Sequence, residues 1–136
     1  MNFVPCVRAG NLLFVSGHGP RQPDGSFVSG KLGQDLEWQQ GYEAARLVAL
    51  DLLATMQGEL GDLDKVKRIV KLLGMVNSAP DFTKQPLVIN GASDLLVAVF
   101  GYERGSHARS AVGMAALPTN IAVEIEMIAE IEPDLV

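Results

Sequence analysis

The chain has 136 residues, 48% of them apolar and 20% charged, with a formal net charge of −5. This composition fits an ordered globular protein of one domain, residues 1–136, and excludes a disordered chain. The acidic balance argues against nucleic acid as a partner, because a phosphate-binding surface needs clustered Lys and Arg.

The first two elements read as a hairpin. Residues 3–8 and 11–16 are short β-rich runs separated by Ala9-Gly10-Asn11. Residues 17–25 are dense in Gly and Pro and read as loop. From Leu36 to Leu60 the apolar residues Trp38, Tyr42, Ala45, Ala49, Leu52, Leu53 and Met56 recur at helical spacing, and Gly61 supplies a stop. Val66 to Val76 is rich in Val, Ile and Leu and reads as a strand. Its basic residues Lys67, Arg68 and Lys71, with Lys65, read as the solvated edge of that strand. Residues 77–85 are loop, with Asp81 or Thr83 as cap for a second helix that accepts Pro86 in its first turn. Residues 101–107 form a polar connection. Ser110 to Ala116 and Ile121 to Ile131 are two strands joined by Leu117-Pro118-Thr119-Asn120, expected to be neighbours. The order β-β-α-β-α-β-β gives an α+β protein: one mixed sheet with two helices on one face.

Chemistry concentrates around Arg109, a guanidinium in an otherwise apolar strand. Such a group needs an anion or a run of acceptors, and its planar fork matches a carboxylate. The bland alternative is an ion pair with Glu124 or Glu126. Glu124 shares a strand face with Glu126, Glu130 and Glu132, and could act as a general base for water if held beside an apolar pocket. Ser16-Gly17-His18-Gly19 closes the second strand and could meet a substrate, although turn structure accounts for its glycines. Asn90, in an otherwise apolar part of its helix, must be hydrogen-bonded if buried, holding either a loop or a ligand. His18 and His107 are the only histidines and lack metal-ligand spacing, so no metal is expected. Cys6 is the single cysteine, which excludes an internal disulfide. No signal segment opens the chain, and no apolar run nears the ~20 residues needed to cross a bilayer, so a cytoplasmic protein is expected.

Several blocks together resemble the RidA/YjgF family of reactive-intermediate (enamine/imine) deaminases, also known as endoribonuclease L-PSP-like proteins. The most specific is Arg109-Ser110-Ala111-Val112-Gly113-Met114-Ala115-Ala116-Leu117-Pro118, followed by Val123-Glu124-Ile125-Glu126-Met127-Ile128-Ala129. A second is Gly10-Asn11-Leu12-Leu13-Phe14-Val15-Ser16-Gly17. A third is Gly61-Asp62-Leu63-Asp64-Lys65-Val66, leading to Val76-Asn77 and Asp81-Phe82.

The resemblance implies a chorismate-mutase-like fold assembled as a homotrimer, with clefts at the subunit interfaces. It implies that Arg109 grips the carboxylate of a small 2-imino or 2-enamino acid, that backbone near Ala111 holds the nitrogen, and that Glu124 activates water. The products would be a 2-oxo acid and ammonia, with no cofactor. Ser16, Asn90 and Phe3 match polar or aromatic cleft positions. Phe3 stands where the best-known members have tyrosine, Ala111 where cysteine is frequent, and His18 where glutamine is common; these departures resemble a divergent subgroup. Two other readings are open: a non-catalytic trimer that binds small metabolites or a protein, and a ribonuclease.

Overall fold

The computed structural model describes residues 2–133. Strand β1 (Cys6–Ala9) turns through Gly10, at φ 61°, into β2 (Leu12–His18), as the hairpin reading expects. Helix α1 (Trp38–Leu60) starts two residues later than Leu36. Glu37 is its N-cap, and a reciprocal capping box with Gln40 satisfies the first-turn donors. Gly61 ends it in the left-handed conformation, its N–H donating to Gln57 O.

Strand β3 (Val66–Asn77) leads into α2 (Gln85–Gly105), and α2 leads into β4 (Ala108–Met114). Neither Asp81 nor Thr83 caps α2: Lys84 holds the N-cap position, without a side-chain bond. The Gln85 side chain instead donates back to Phe82 O at 2.8 Å, which fixes the preceding turn. Pro86 sits in the first turn, where its missing N–H costs nothing. The expected polar connection from 101 is largely helix. Gly101, at φ 81° and ψ 164°, breaks the helical path, and the chain re-enters helix to Gly105.

The strands form one mixed sheet in the order β1-β2-β5-β3-β4, where β5 is Val123–Ile131. Both helices pack on one face, α1 over β5 and β2, and α2 over β3 and β4. The core lies between the layers, from Leu13 and Val15 through Ile125, Met127, Ile69 and Leu72 to Val48, Leu52, Ile89 and Leu96. Burial and register reproduce the expected alternation in β5, with Val123, Ile125, Met127, Ala129 and Ile131 all inward.

The expected pairing of the last two strands does not occur. The β3–α2–β4 crossover lays β4 parallel beside β3, and β5 takes the other side of β3, antiparallel. The chain from Ala115 to Ala122 therefore crosses the end of β3. Asn77, the last residue of β3 and fully buried, fastens that crossing. Its Nδ2 donates to Asn120 Oδ1 and Ile121 O at 3.0 Å each, and its Oδ1 accepts from Lys31 Nζ at 2.8 Å. Thr119 and Asn120 take positive φ of 51° and 61° to make the crossing. The basic run lies on β3, a central strand of the sheet. Only residues 66–70 extend beyond β4, and there Lys67 and Arg68 are solvated as expected.

The helices touch backbone to backbone where Gly91 of α2 meets α1. A Cβ at Gly91 would lie 1.9 Å from Tyr42 O, whereas one at Gly58 of α1 would meet nothing within 4 Å. Gly91→Ala should thus lose about 1–3 kcal/mol through overpacking. Gly58→Ala should gain roughly 0.5–1 kcal/mol from helix propensity. Urea unfolding midpoints of the two variants against wild type check both signs.

Candidate functional site

Arg109 lies on the outer strand of the sheet. It pairs with Leu72, whose side chain is buried under the helices, so Arg109 also leaves the sheet on the helix side. There it meets α2: Nη1 donates to Ser93 Oγ at 3.0 Å and Nη2 to Pro86 O at 3.2 Å. Among the described residues no carboxylate lies within ion-pairing distance of it, so neither Glu124 nor Glu126 neutralises it. Burial works against the charged form and lowers its pKa from the ordinary value, with Asp94 acting the other way; a guanidinium stays a cation regardless. Two of its five N–H groups are used, which leaves enough for a two-point grip on an anion.

Ser93 was not marked by the sequence, yet it is the hub of this corner. Its Oγ lies 2.8 Å from His107 Nε2, and His107 Nδ1 lies 2.7 Å from Gly105 O. The available signal was spacing: Pro86, Asn90 and Ser93 fall four and three residues apart, one face of α2 turned toward Arg109. Asn90 thus lies on the same side of α2 as Ser93. It is only half-buried, so it escapes the strict bonding requirement of an enclosed amide. Ala111, two residues along β4 from Arg109, packs on the core opposite Gly74, and its backbone belongs to an edge strand.

Glu124 begins a second corner. It pairs with Met75 on the face of the sheet that carries no helix, and is half-buried. Gly17, in an irregular stretch of β2 between Val15 and His18, makes room for it: a Cβ there would stand 2.2 Å from Glu124 Oε2. Gly17 and His18 are therefore strand residues, not the loop expected. Burial raises the Glu124 pKa above the ordinary carboxylate value, Glu126 adds to the rise, and His18 opposes it. Ser16 Oγ donates to Val4 O at 2.7 Å, which ties down the N-terminal segment carrying Phe3. Both His18 nitrogens are engaged, with Ser16 O at 2.6 Å and Thr55 Oγ1 at 2.7 Å, so this ring fastens β2 to α1.

The two corners do not meet within one chain. Arg109 and Glu124 are separated by β3, by three residues along the strand, and by the sheet itself, since they leave opposite faces. Two strand spacings and three residues put their Cα atoms roughly 14 Å apart. Their expected pairing across a hairpin is overturned by the crossover that inserts β3 between them.

Phe3, Ser16, Gly17 and His18 line a cavity of about 340 Å³ with Thr55 and Asp51. A larger one of about 430 Å³, between Lys31, Phe82, Gln85 and Met114, contains none of the expected residues. Among the described residues no three His, Cys, Asp or Glu side chains are grouped to hold a metal ion, and no helix is long and apolar enough to cross a membrane.

Comparison with known proteins gives a consistent result. Residues 1–131 match the family model described as "YjgF/chorismate_mutase-like, putative endoribonuclease". Protein TCP17 of Trypanosoma cruzi is 50% identical over 130 residues, covering 96% of this chain and 81% of that protein. The crystal structure of Atu1372 from Agrobacterium tumefaciens, described as of unknown function, superimposes with a TM-score of 0.93. It is 49% identical, over 96% of this chain and 82% of that one. A Shewanella oneidensis protein described as a putative endoribonuclease superimposes with a TM-score of 0.92 at 32% identity, over 96% and 86% of the two chains. With its five-stranded mixed sheet, two helices on one face and a family match along almost its whole length, the chain belongs to the YjgF/chorismate-mutase-like family.

Proposed function

We propose that this protein hydrolyses small 2-imino or 2-enamino acids to 2-oxo acids and ammonia, in clefts between the subunits of a homotrimer. The observation that carries this reading is the state of Arg109: a partly buried guanidinium that, among the described residues, is held by a serine hydroxyl and a carbonyl, with spare N–H groups and no carboxylate in ion-pairing contact. Such a cation is a ready receptor for a carboxylate that comes from outside the chain. Family membership supports the same reading. Backbone of the edge strand near Ala111 would take the imine nitrogen, and Asn90 lies on the helix face beside it.

The base comes from the other corner. Glu124, with its raised pKa, is a stronger proton acceptor than an ordinary carboxylate while it stays ionised. It takes a proton from water as the oxygen adds to the imine carbon. The carbinolamine then collapses, the C–N bond breaks with the nitrogen protonated, and ammonia leaves a 2-oxo acid. Nothing is oxidised or reduced. Holding acid and water in one cleft removes much of the entropic part of the barrier. Since Arg109 and Glu124 lie too far apart in one chain, they meet only if one copy's Arg109 corner faces another's Glu124 corner. The helix-free face of the sheet exposes Val7, Leu12, Phe14 and Val112, an apolar surface suited to such packing.

Two measurements test this. With an imine generated in situ from an amino acid, Arg109→Ala should lower kcat/KM for 2-oxo acid release by about 100-fold or more, and Glu124→Gln should do likewise while still binding a 2-oxo acid. Each variant alone is inactive, but mixed and reassembled they should regain activity, because some interfaces then pair an intact Arg109 with an intact Glu124. Wild-type rates in Arg109→Ala, or no recovery on mixing, would count against the composite site.

The pH profile has a definite sign. Catalysis needs ionised Glu124, so kcat should be lost as pH falls through the raised pKa, with a midpoint above the ordinary carboxylate value of 4.5. Glu126→Gln removes a repelling charge and should move that midpoint down. A profile flat through this range would remove Glu124 as the base.

A further inference from the structure

Arg109 heads a chain of hydrogen bonds that runs into the protein. Arg109 Nη1 meets Ser93 Oγ at 3.0 Å, Ser93 Oγ meets His107 Nε2 at 2.8 Å, and His107 Nδ1 meets Gly105 O at 2.7 Å. The two ends fix its direction. A guanidinium only donates, so Ser93 accepts from it; a backbone carbonyl only accepts, so His107 Nδ1 carries a proton. In a neutral imidazole Nε2 is then an acceptor, and the Ser93 hydroxyl gives its own proton to it. Every group is used once, all in one direction, and this holds only while the imidazole is neutral.

The chain has a mechanical consequence. The guanidinium is a rigid plane, and the Ser93 and Pro86 contacts hold two of its nitrogens against α2. A free serine hydroxyl would swing among rotamers; His107, itself anchored to Gly105, removes that freedom. We propose that Ser93 and His107 are positioning residues for Arg109, turning its free N–H groups toward the ligand carboxylate, and that the neutral imidazole is required for this. The inference rests on reading Arg109 as a carboxylate clamp.

The surroundings favour the neutral ring. Burial lowers the His107 pKa from the ordinary value, Arg109 on β4 lowers it further, and only the Gly105 carbonyl opposes. Arg68 of β3 donates to Ser106 O at 3.4 Å, so a second cation stands next to the residue preceding His107. Asp94 of α2 acts on Arg109 and accepts from Tyr42 at 2.7 Å. A protonated His107 would turn Nε2 into a donor, leaving two cations on a single hydroxyl.

Isothermal titration with pyruvate, a carboxylate ionised throughout the range, tests the proposal from pH 8 down to the pH at which NMR of the His107 ring shows it protonated. The variants are Ser93→Ala, Ser93→Thr, His107→Gln and, as control, Arg109→Ala. Ser93→Ala should weaken binding by about tenfold or more at pH 8, as the loss of a hydrogen bond to a charged group implies. It should raise KM more than it lowers kcat and leave the unfolding midpoint unmoved. Ser93→Thr keeps the hydroxyl and should keep the affinity. Wild-type affinity should fall as His107 takes up its proton, whereas His107→Gln, whose amide takes up none, should lose less over the same pH steps. If Ser93→Ala binds as tightly as wild type while Arg109→Ala does not bind, the positioning role is wrong and the clamp stands. If Arg109→Ala also binds normally, the clamp reading fails and this inference with it. Equal pH dependence in wild type and His107→Gln overturns the requirement for a neutral ring, a comparison that holds even should Ser93→Thr not fold.

Discussion

The constraint that organises this molecule is the return of the chain over the end of β3. Joined to β3 by α2, β4 lies parallel beside it and does not turn straight back into β5. The following strand has to reach the other side of β3, and the segment from Ala115 to Ala122 carries it there. That segment leaves backbone groups and a sharp bend above a buried strand end. Asn77 meets the need: one amide satisfies Asn120 and Ile121 on the crossing segment and receives Lys31 from the long loop. A buried asparagine with all these bonds made is stable where an unpaired one would be costly.

The geometry of the candidate site descends from that crossing. It puts the strand carrying Arg109 at one edge of the sheet and the strand carrying Glu124 on the far side of β3, leaving opposite faces. Proximity in sequence, fifteen positions apart in numbering, therefore does not become proximity in space. Each corner is built for its own task. Gly17 gives up its side chain so that the Glu124 carboxylate can settle against β2, while α2 offers Ser93 and Pro86 to the guanidinium.

Much of this was legible in the sequence because much of it is periodic. The stripe of α1, the alternation of β5 and the Gly10 turn are local patterns that tertiary packing reinforced. The two helices on one face of a mixed sheet followed from element order. What failed was non-local. A four-residue connection rich in Pro and Asn suggests a hairpin, and only strand pairing reveals a crossing. The expected α2 caps failed for a related reason, since Gln85 takes over the turn that Asp81 or Thr83 would have made. Arg109 and Glu124 stood out as charges on patterned strands, but Ser93 did not: its spacing from Pro86 and Asn90 marks a helix face, and what that face meets is known only once the strand opposite is.

Under the proposed reading of Arg109 as a carboxylate clamp, the small Ser93 hydroxyl has a reason. A carboxylate in place of Ser93 would hold the guanidinium more strongly, yet it would also neutralise it, and an incoming anion would then have to displace a covalently tethered competitor. Serine and the Pro86 carbonyl fix the position of the charge without cancelling it. The cost is a cation partly withdrawn from water with, among the described residues, no carboxylate in ion-pairing contact, and burial lowers its pKa accordingly. A ligand carboxylate of the proposed kind would remove that imbalance on binding, so the imbalance itself would favour its capture. Asp94, held by Tyr42 and acting on the guanidinium without an ion-pair contact, moderates this cost and leaves the N–H groups free.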